Sequence, residues 1–193
     1  MPIPRRGAPA SVARAVSIAL HPFAVFMLLA LLAAWRVDPA SLARTAAGMA
    51  AAIAIISAFI WQRRRAGHWE TVDASRPQER PLLYLLALAV IGGYWLWMGG
   101  RASAASGGVL AAVAMLATAG VANRWIKLSL HMASLVFASV VSWPLAWPAA
   151  AMLTASVPVL AWSRLALGRH TWPEVVGGTA LGAAFGTGLL AFG

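Results

Sequence analysis

Apolar residues in this chain run in long blocks that do not alternate with polar ones and are parted by short polar breaks. Blocks at about 15–35, 42–61, 82–98, 107–122, 128–146, 149–162 and 174–192 are near the ~20 residues a helix needs to cross a bilayer core. A membrane β-barrel would alternate polar and apolar positions, and these runs do not. The pattern predicts an all-α fold: a polytopic transmembrane helical bundle of six to seven spans, with residues 1–193 forming a single integral membrane domain. The 149–162 block is short, which predicts a tilted or partly re-entrant segment. Arg5, Arg6 and Arg14 precede the first block, as basic residues precede the apolar part of a signal peptide. That block is longer than a signal segment, so it reads as the first span.

Composition agrees with the pattern. The chain is 61% hydrophobic and 10% charged, whereas a soluble domain carries roughly a quarter charged residues. Nine of the ten tryptophans (Trp35, Trp61, Trp95, Trp97, Trp125, Trp143, Trp147, Trp162 and Trp172) fall near predicted span ends, where indole rings mark the headgroup level. Only Trp69 lies well inside a polar segment. The chain has no cysteine, which excludes disulfides, thiolate chemistry and cysteine metal ligands.

With seven spans, charge sorts by face. The N-terminus, the polar segment 62–81, the break "NRWIK" and the segment 163–173 share one side, which holds 12 of the 15 basic residues. The other side has Arg36, Arg44 and Arg101. His68, His131 and His170 join the basic face, which suits an anion such as phosphate. The positive-inside rule accounts for Arg5, Arg6, Arg14 and Arg63 to Arg65 without a ligand, but it does not account for the histidines. It also predicts that this face is cytoplasmic, and the expected location is the inner (cell) membrane. The five carboxylates, Asp38, Glu70, Asp73, Glu79 and Glu174, show no spacing of an Asp-rich Mg²⁺ motif, so no metal or other cofactor is expected.

Two short stretches carry chemistry. "SRLALGRHTWPE" sets Ser163, Arg164, His170 and Glu174 in the pattern SR-x5-H-x3-E, and "KLSLH" ends in Ser129 and His131. The first resembles the third signature of the type 2 phosphatidic acid phosphatase superfamily, with glutamate for aspartate. The second resembles its second signature, PSGH, with the serine and histidine kept. Arg80-Pro81 matches the end of the first signature, K-x6-RP, with Asp73 where the lysine would stand. The resemblance covers about 65–180 and implies a phosphatase core within 61–193, preceded by two N-terminal spans within 1–61.

The resemblance further implies a lipid phosphatase. His170 would be the nucleophile that becomes phosphorylated. Glu174 would orient its ring. His131 would be the acid and then the base, and Arg164 and Arg80 would hold phosphate oxygens. Arg76 or Lys127 would replace the missing lysine: Arg76 is one turn before Arg80 if Ser75 caps a helix, and Lys127 is four residues before His131, on one face of a helix if one runs through both. Ser129 would add a hydroxyl and nearby backbone N–H groups. The expected partners are a membrane lipid phosphate, of prenyl or phosphatidyl type, and the bilayer, with no nucleic acid.

Simpler readings stand beside these. Thr171-x-x-Glu174 is also a capping box, so Glu174 either caps a helix or orients His170. His131 could merely bond within the bundle, though a histidine at a span start is costly without use. His21, before Pro22, reads as an interhelical hydrogen bonder rather than a catalytic group, and Gly178, Gly182 and Gly186 as a stripe for close helix packing. A small anion or lipid transporter and a non-catalytic scaffold are the competing functions. A transporter would place polar groups at mid-membrane, whereas here they gather at one interface.

Overall fold

A computed structural model describes residues 8–67 and 80–192. Every regular element among them is helical: α1 (Ala8–Ala19), α2 (Pro22–Val37), α3 (Leu42–Arg65), α4 (Arg80–Trp97), α5 (Ser106–Ala122), α6 (Leu130–Ser142), α7 (Trp147–Ala166) and α8 (Trp172–Phe192), with 3₁₀ turns at Pro39–Ser41 and Gly100–Ala102. Four stretches are long and apolar enough to cross a membrane: Ala10–Val37, Pro39–Arg65, α7 and α8. The helices at Pro81–Trp97, Ser106–Ala122 and Leu130–Ser142 are apolar but shorter.

Two predicted spans need comment. The first lies within Ala10–Val37, a stretch long enough to span, but its helix is interrupted: Pro22 has no N–H to continue α1, the Leu20 N–H makes the last helical bond to Val16 and the His21 N–H tightens onto Ile18. His21 then caps α2, its Nδ1 accepting the Phe23 N–H at 3.3 Å. The second concerns 149–162. The helix there is not short: it runs for 20 residues from Trp147 to Ala166 and is long and apolar enough to span. Its polar C-terminal turn extends it past the apolar block from which the shorter length was read.

α6 is the central helix. His131 to Ser139 are buried without interruption, the mark of a helix surrounded by others. Met132, Leu135 and Phe137 pack with Val25 and Leu29 of α2, Met115 of α5, Leu160 of α7 and Val175 of α8. α8 comes closest, because a Cβ on Gly178 or Gly182 would strike the carbonyl oxygen of Ser129 or Ala133, and one on Gly186 would lie 2.9 Å from Val140. The glycine stripe is therefore a packing surface. α3 and α4 form a side cluster in which Ile56 and Ile60 meet Phe23, Leu83 and Leu86.

The outer surface suits lipid. Leu28, Ile55, Leu85, Leu96, Met152 and Val176 are exposed, and so many large apolar side chains facing outward mark contact with a nonaqueous medium. Eight of the nine span-end tryptophans are exposed as well. Three carry an arginine over the ring, Arg36 on Trp35 at 4.5 Å, Arg65 on Trp61 at 4.0 Å and Arg124 on Trp125 at 4.0 Å. Trp95 is the one turned inward, its indole N–H donating to Ser106 Oγ at 2.9 Å.

Candidate active site

The end of α7 and the start of α8 are joined by a turn whose backbone follows from its sequence. Gly168 takes a left-handed φ of 62°. The Arg169 N–H reaches the Arg164 carbonyl at 3.1 Å and the Gly168 N–H reaches the Leu165 carbonyl at 2.9 Å. This paired closure is a Schellman turn, which favours glycine at that position. It reverses the chain within a few residues and returns His170 toward Arg164. Lys127 ties down the same turn, its Nζ donating to the Arg169 carbonyl at 2.9 Å.

Glu174 does both things its spacing allowed. Its Oε2 accepts the Thr171 backbone N–H at 3.2 Å, one half of a capping box, and lies 2.8 Å from His170 Nδ1. An ionised carboxylate only accepts hydrogen bonds, so Nδ1 carries the proton and the neutral ring keeps its lone pair on Nε2. The His170 side chain is 2% exposed and that of Glu174 is 17% exposed, so water screens the pair little.

His131 and Arg164 complete the group. Both are buried, and Arg164, His21 and His170 all lie close enough to His131 to act on its charge. The break between α1 and α2 holds two of these side chains through one residue. With the His21 N–H turned to Ile18, the Ser17 carbonyl accepts a hydrogen bond from the His131 ring. The Ser17 hydroxyl accepts from an Arg164 terminal nitrogen at 2.6 Å. Ser163, the neighbour of Arg164, donates to the Ala13 carbonyl at 2.6 Å and locks α7 against α1.

His131, Arg164, His170 and His21 line one end of a cavity of about 640 Å³. Its wall continues along α2 from Pro22 through Phe26 and Leu29 to Val37 and Asp38, and is otherwise largely apolar. At 1.5 Å per residue, the 16 residues of α2 make this passage about 24 Å long.

Of the residues singled out from sequence, His170, Glu174, His131 and Arg164 converge here. Two expectations are corrected. Lys127 does not share a helix face with His131, because α6 begins only at Leu130 and residues 126–129 are irregular. The cause is the Ser129 N–H, which bonds the Glu174 carbonyl at 3.0 Å and holds the segment against α8. The Ser129 N–H is thereby taken up; its hydroxyl is buried with no hydrogen-bond partner among the described residues, and the residue does not line the cavity. Arg80 opens α4, but its side chain lies outside the described residues, as do Arg76, His68 and Asp73. Sequence reasoning missed Ser17 and the place of His21 in the cavity wall. The available signal was His21-Pro22 inside an apolar run, a polar group beside an enforced helix break. Comparison with protein-family models, with curated proteins and with solved structures finds no match for this chain.

Proposed function

We propose that this chain is a metal-independent lipid phosphatase of the type 2 phosphatidic acid phosphatase kind, which works through a phosphohistidine. The observation that carries the reading is the meeting of His170, His131 and Arg164 at one end of an apolar cavity, with His170 held by Glu174. Such a cavity accepts a hydrocarbon chain, and its polar end accepts the phosphate of the same molecule.

His170 Nε2, its lone pair fixed by the Nδ1–H bond to Glu174, attacks phosphorus in line with the ester oxygen. The N–P bond forms, the P–O bond breaks, and His131, which enters the step protonated on both ring nitrogens, keeps the proton bonded to Ser17 and gives the other to the departing oxygen. His131 then takes a proton from water, whose oxygen attacks the phosphohistidine. Inorganic phosphate leaves and both histidines return to their starting states. Arg164 holds equatorial oxygens, and its bond to Ser17 Oγ limits its rotamers. Lys127 fixes the backbone that carries His170. The basic face, and the site with it, faces the cytoplasm of an inner-membrane protein.

The test is phosphate release by purified protein across a panel of prenyl, polyprenyl and phosphatidyl phosphates in EDTA. His170→Ala should abolish turnover and leave the protein folded. Release by that variant near the wild-type rate would end the phosphohistidine mechanism.

A further inference from the structure

The catalytic group occupies one end of the cavity and leaves the rest of it, a long apolar passage, without a part. The wall on α2 is a single stripe of Phe26, Leu29, Ala30, Ala33, Ala34 and Val37. These positions recur at helical spacing, so one face of α2 follows the passage for its whole length. α3, α4, α5 and α6 also contribute residues to the wall. The helices close on one another: α2 packs on α3, α3 on α4, α4 on α5, α5 on α8, α8 on α6 and α6 on α2. The passage therefore runs inside a ring of helices rather than along a groove on its outside. Phe26 and Phe137 meet at 6.0 Å, beyond the His21–His131 pair, so α2 and α6 lead away from the polar end side by side.

Small residues keep this space open. Ala30, Ala33, Ala52, Ala87 and Ala112 face it from α2, α3, α4 and α5, where larger side chains would have filled it. Protein interiors are close-packed, and an empty apolar void lowers stability in proportion to its volume. A void of about 640 Å³ is thus suited to an apolar occupant, and its volume limits what that occupant can be. About 150 Å³ of apolar cavity holds a benzene ring, or about 25 Å³ per carbon. The cavity of about 640 Å³ then holds about 25 carbons. One tail of about 15–20 carbons fits, with room for the phosphate at its end. The two tails of a phosphatidate, together about 32 carbons, exceed the space, and so does a polyprenyl tail of about 55.

We propose that the substrate is a lipid phosphate with a single hydrocarbon tail of about 15–20 carbons, which lies inside the helix ring, and that Ala30 is a specificity-determining residue for tail length. The proposal rests on reading the site as a phosphatase. Ala30 lies eight residues beyond Pro22, about 12 Å down the passage. A large side chain there blocks the deeper half of the passage and leaves the phosphate end untouched.

The probes are geranyl, farnesyl, geranylgeranyl and undecaprenyl phosphates, hexadecyl phosphate and dipalmitoyl phosphatidate, and the measurement is phosphate release by the purified full chain. In the wild type, kcat/KM should rise from geranyl to geranylgeranyl phosphate, with hexadecyl phosphate close to farnesyl. It should be about 10- to 100-fold lower for undecaprenyl phosphate and for the phosphatidate, whose extra atoms have no space to enter. In Ala30→Phe, kcat/KM for geranylgeranyl phosphate should fall by about the same factor, while geranyl phosphate is turned over nearly as before. Leu28→Phe is the control: Leu28 is 62% exposed on the outer face of the same helix, and its replacement should change neither rate. Should Ala30→Phe fail to fold, the wild-type order of substrates decides. Undecaprenyl phosphate or the phosphatidate turned over as efficiently as geranylgeranyl phosphate would overturn the proposal and leave the phosphatase reading intact. So would an Ala30→Phe protein that handles geranylgeranyl phosphate like the wild type. Release from none of the six by the wild-type protein would overturn both.

Discussion

Glu174 gives the sharpest test, because one oxygen serves two purposes that a substitution can separate. Oε2 receives His170 Nδ1 at 2.8 Å and the Thr171 N–H at 3.2 Å. In Glu174→Gln the amide oxygen can still accept both, so the cap and the ring orientation survive and only the charge is lost. A hydrogen bond to a charged group contributes about 1.5–3 kcal/mol and one between neutral groups about 0.5–1.5 kcal/mol. The difference, about 1–1.5 kcal/mol, applies when His170 becomes cationic on bonding to phosphorus. At about 1.36 kcal/mol per tenfold, kcat should fall roughly 5- to 13-fold. Thermal stability should hardly change. Glu174→Ala removes the cap too, costing about 1 kcal/mol, or about 2–4 °C in Tm for a chain of this size, and its kcat should fall further. The assays are phosphate release at saturating substrate and thermal unfolding in the same detergent. Full activity in Glu174→Gln, with a lowered Tm in Glu174→Ala, would show that the carboxylate only caps α8.

Activity should survive EDTA and be inhibited by vanadate, which adopts the trigonal-bipyramidal shape of in-line transfer; activity lost to EDTA and restored by Mg²⁺ would point to another reaction class. Gly182→Val should lower Tm and activity together, because its side chain meets the Ala133 carbonyl and pushes α8, with His170, away from α6, with His131; overpacking of this kind costs about 1–3 kcal/mol, and a variant as stable and active as wild type would refute the contact. A single cysteine at Ala66, introduced into a chain that has none, should resist an impermeant maleimide in intact cells and react after lysis. Labelling in intact cells would place the site on the outer face.

Much of the helix plan was legible because the bilayer imposes a simple rule on length and polarity, and the apolar blocks ended within a few residues of most helices. Legibility failed where a local group changed the backbone. Pro22 and His21 cut a block that hydropathy alone reads as continuous. The segment before α6 looked like a helix from spacing, yet it is extended because Ser129 bonds across to Glu174, a partner 45 residues away by number. His170 and Glu174 were legible as a pair, since four residues on one side of a turn decide their meeting. The choice between cap and orienter was not, because each reading assumed that the carboxylate had one partner. Ser17 was invisible from sequence: its role depends on a carbonyl that only the helix break sets loose.

The shortness of α6 bears on how the protein is made. Thirteen residues at 1.5 Å give about 20 Å, against a hydrocarbon core of about 30 Å. A nascent chain that ends at Ser142 has synthesised all of α6, a helix shorter than that core, and the α8 glycines that would sheath its backbone do not yet exist. His131 is then still without α7 and His170. The chain that emerges first, through Ser17 and His21, meets Arg164 only near the end of translation. The site is therefore among the last parts of the molecule to form, and a chain cut short before Trp172 should insert its early helices, bind no vanadate, and fall to membrane proteases sooner than the full protein.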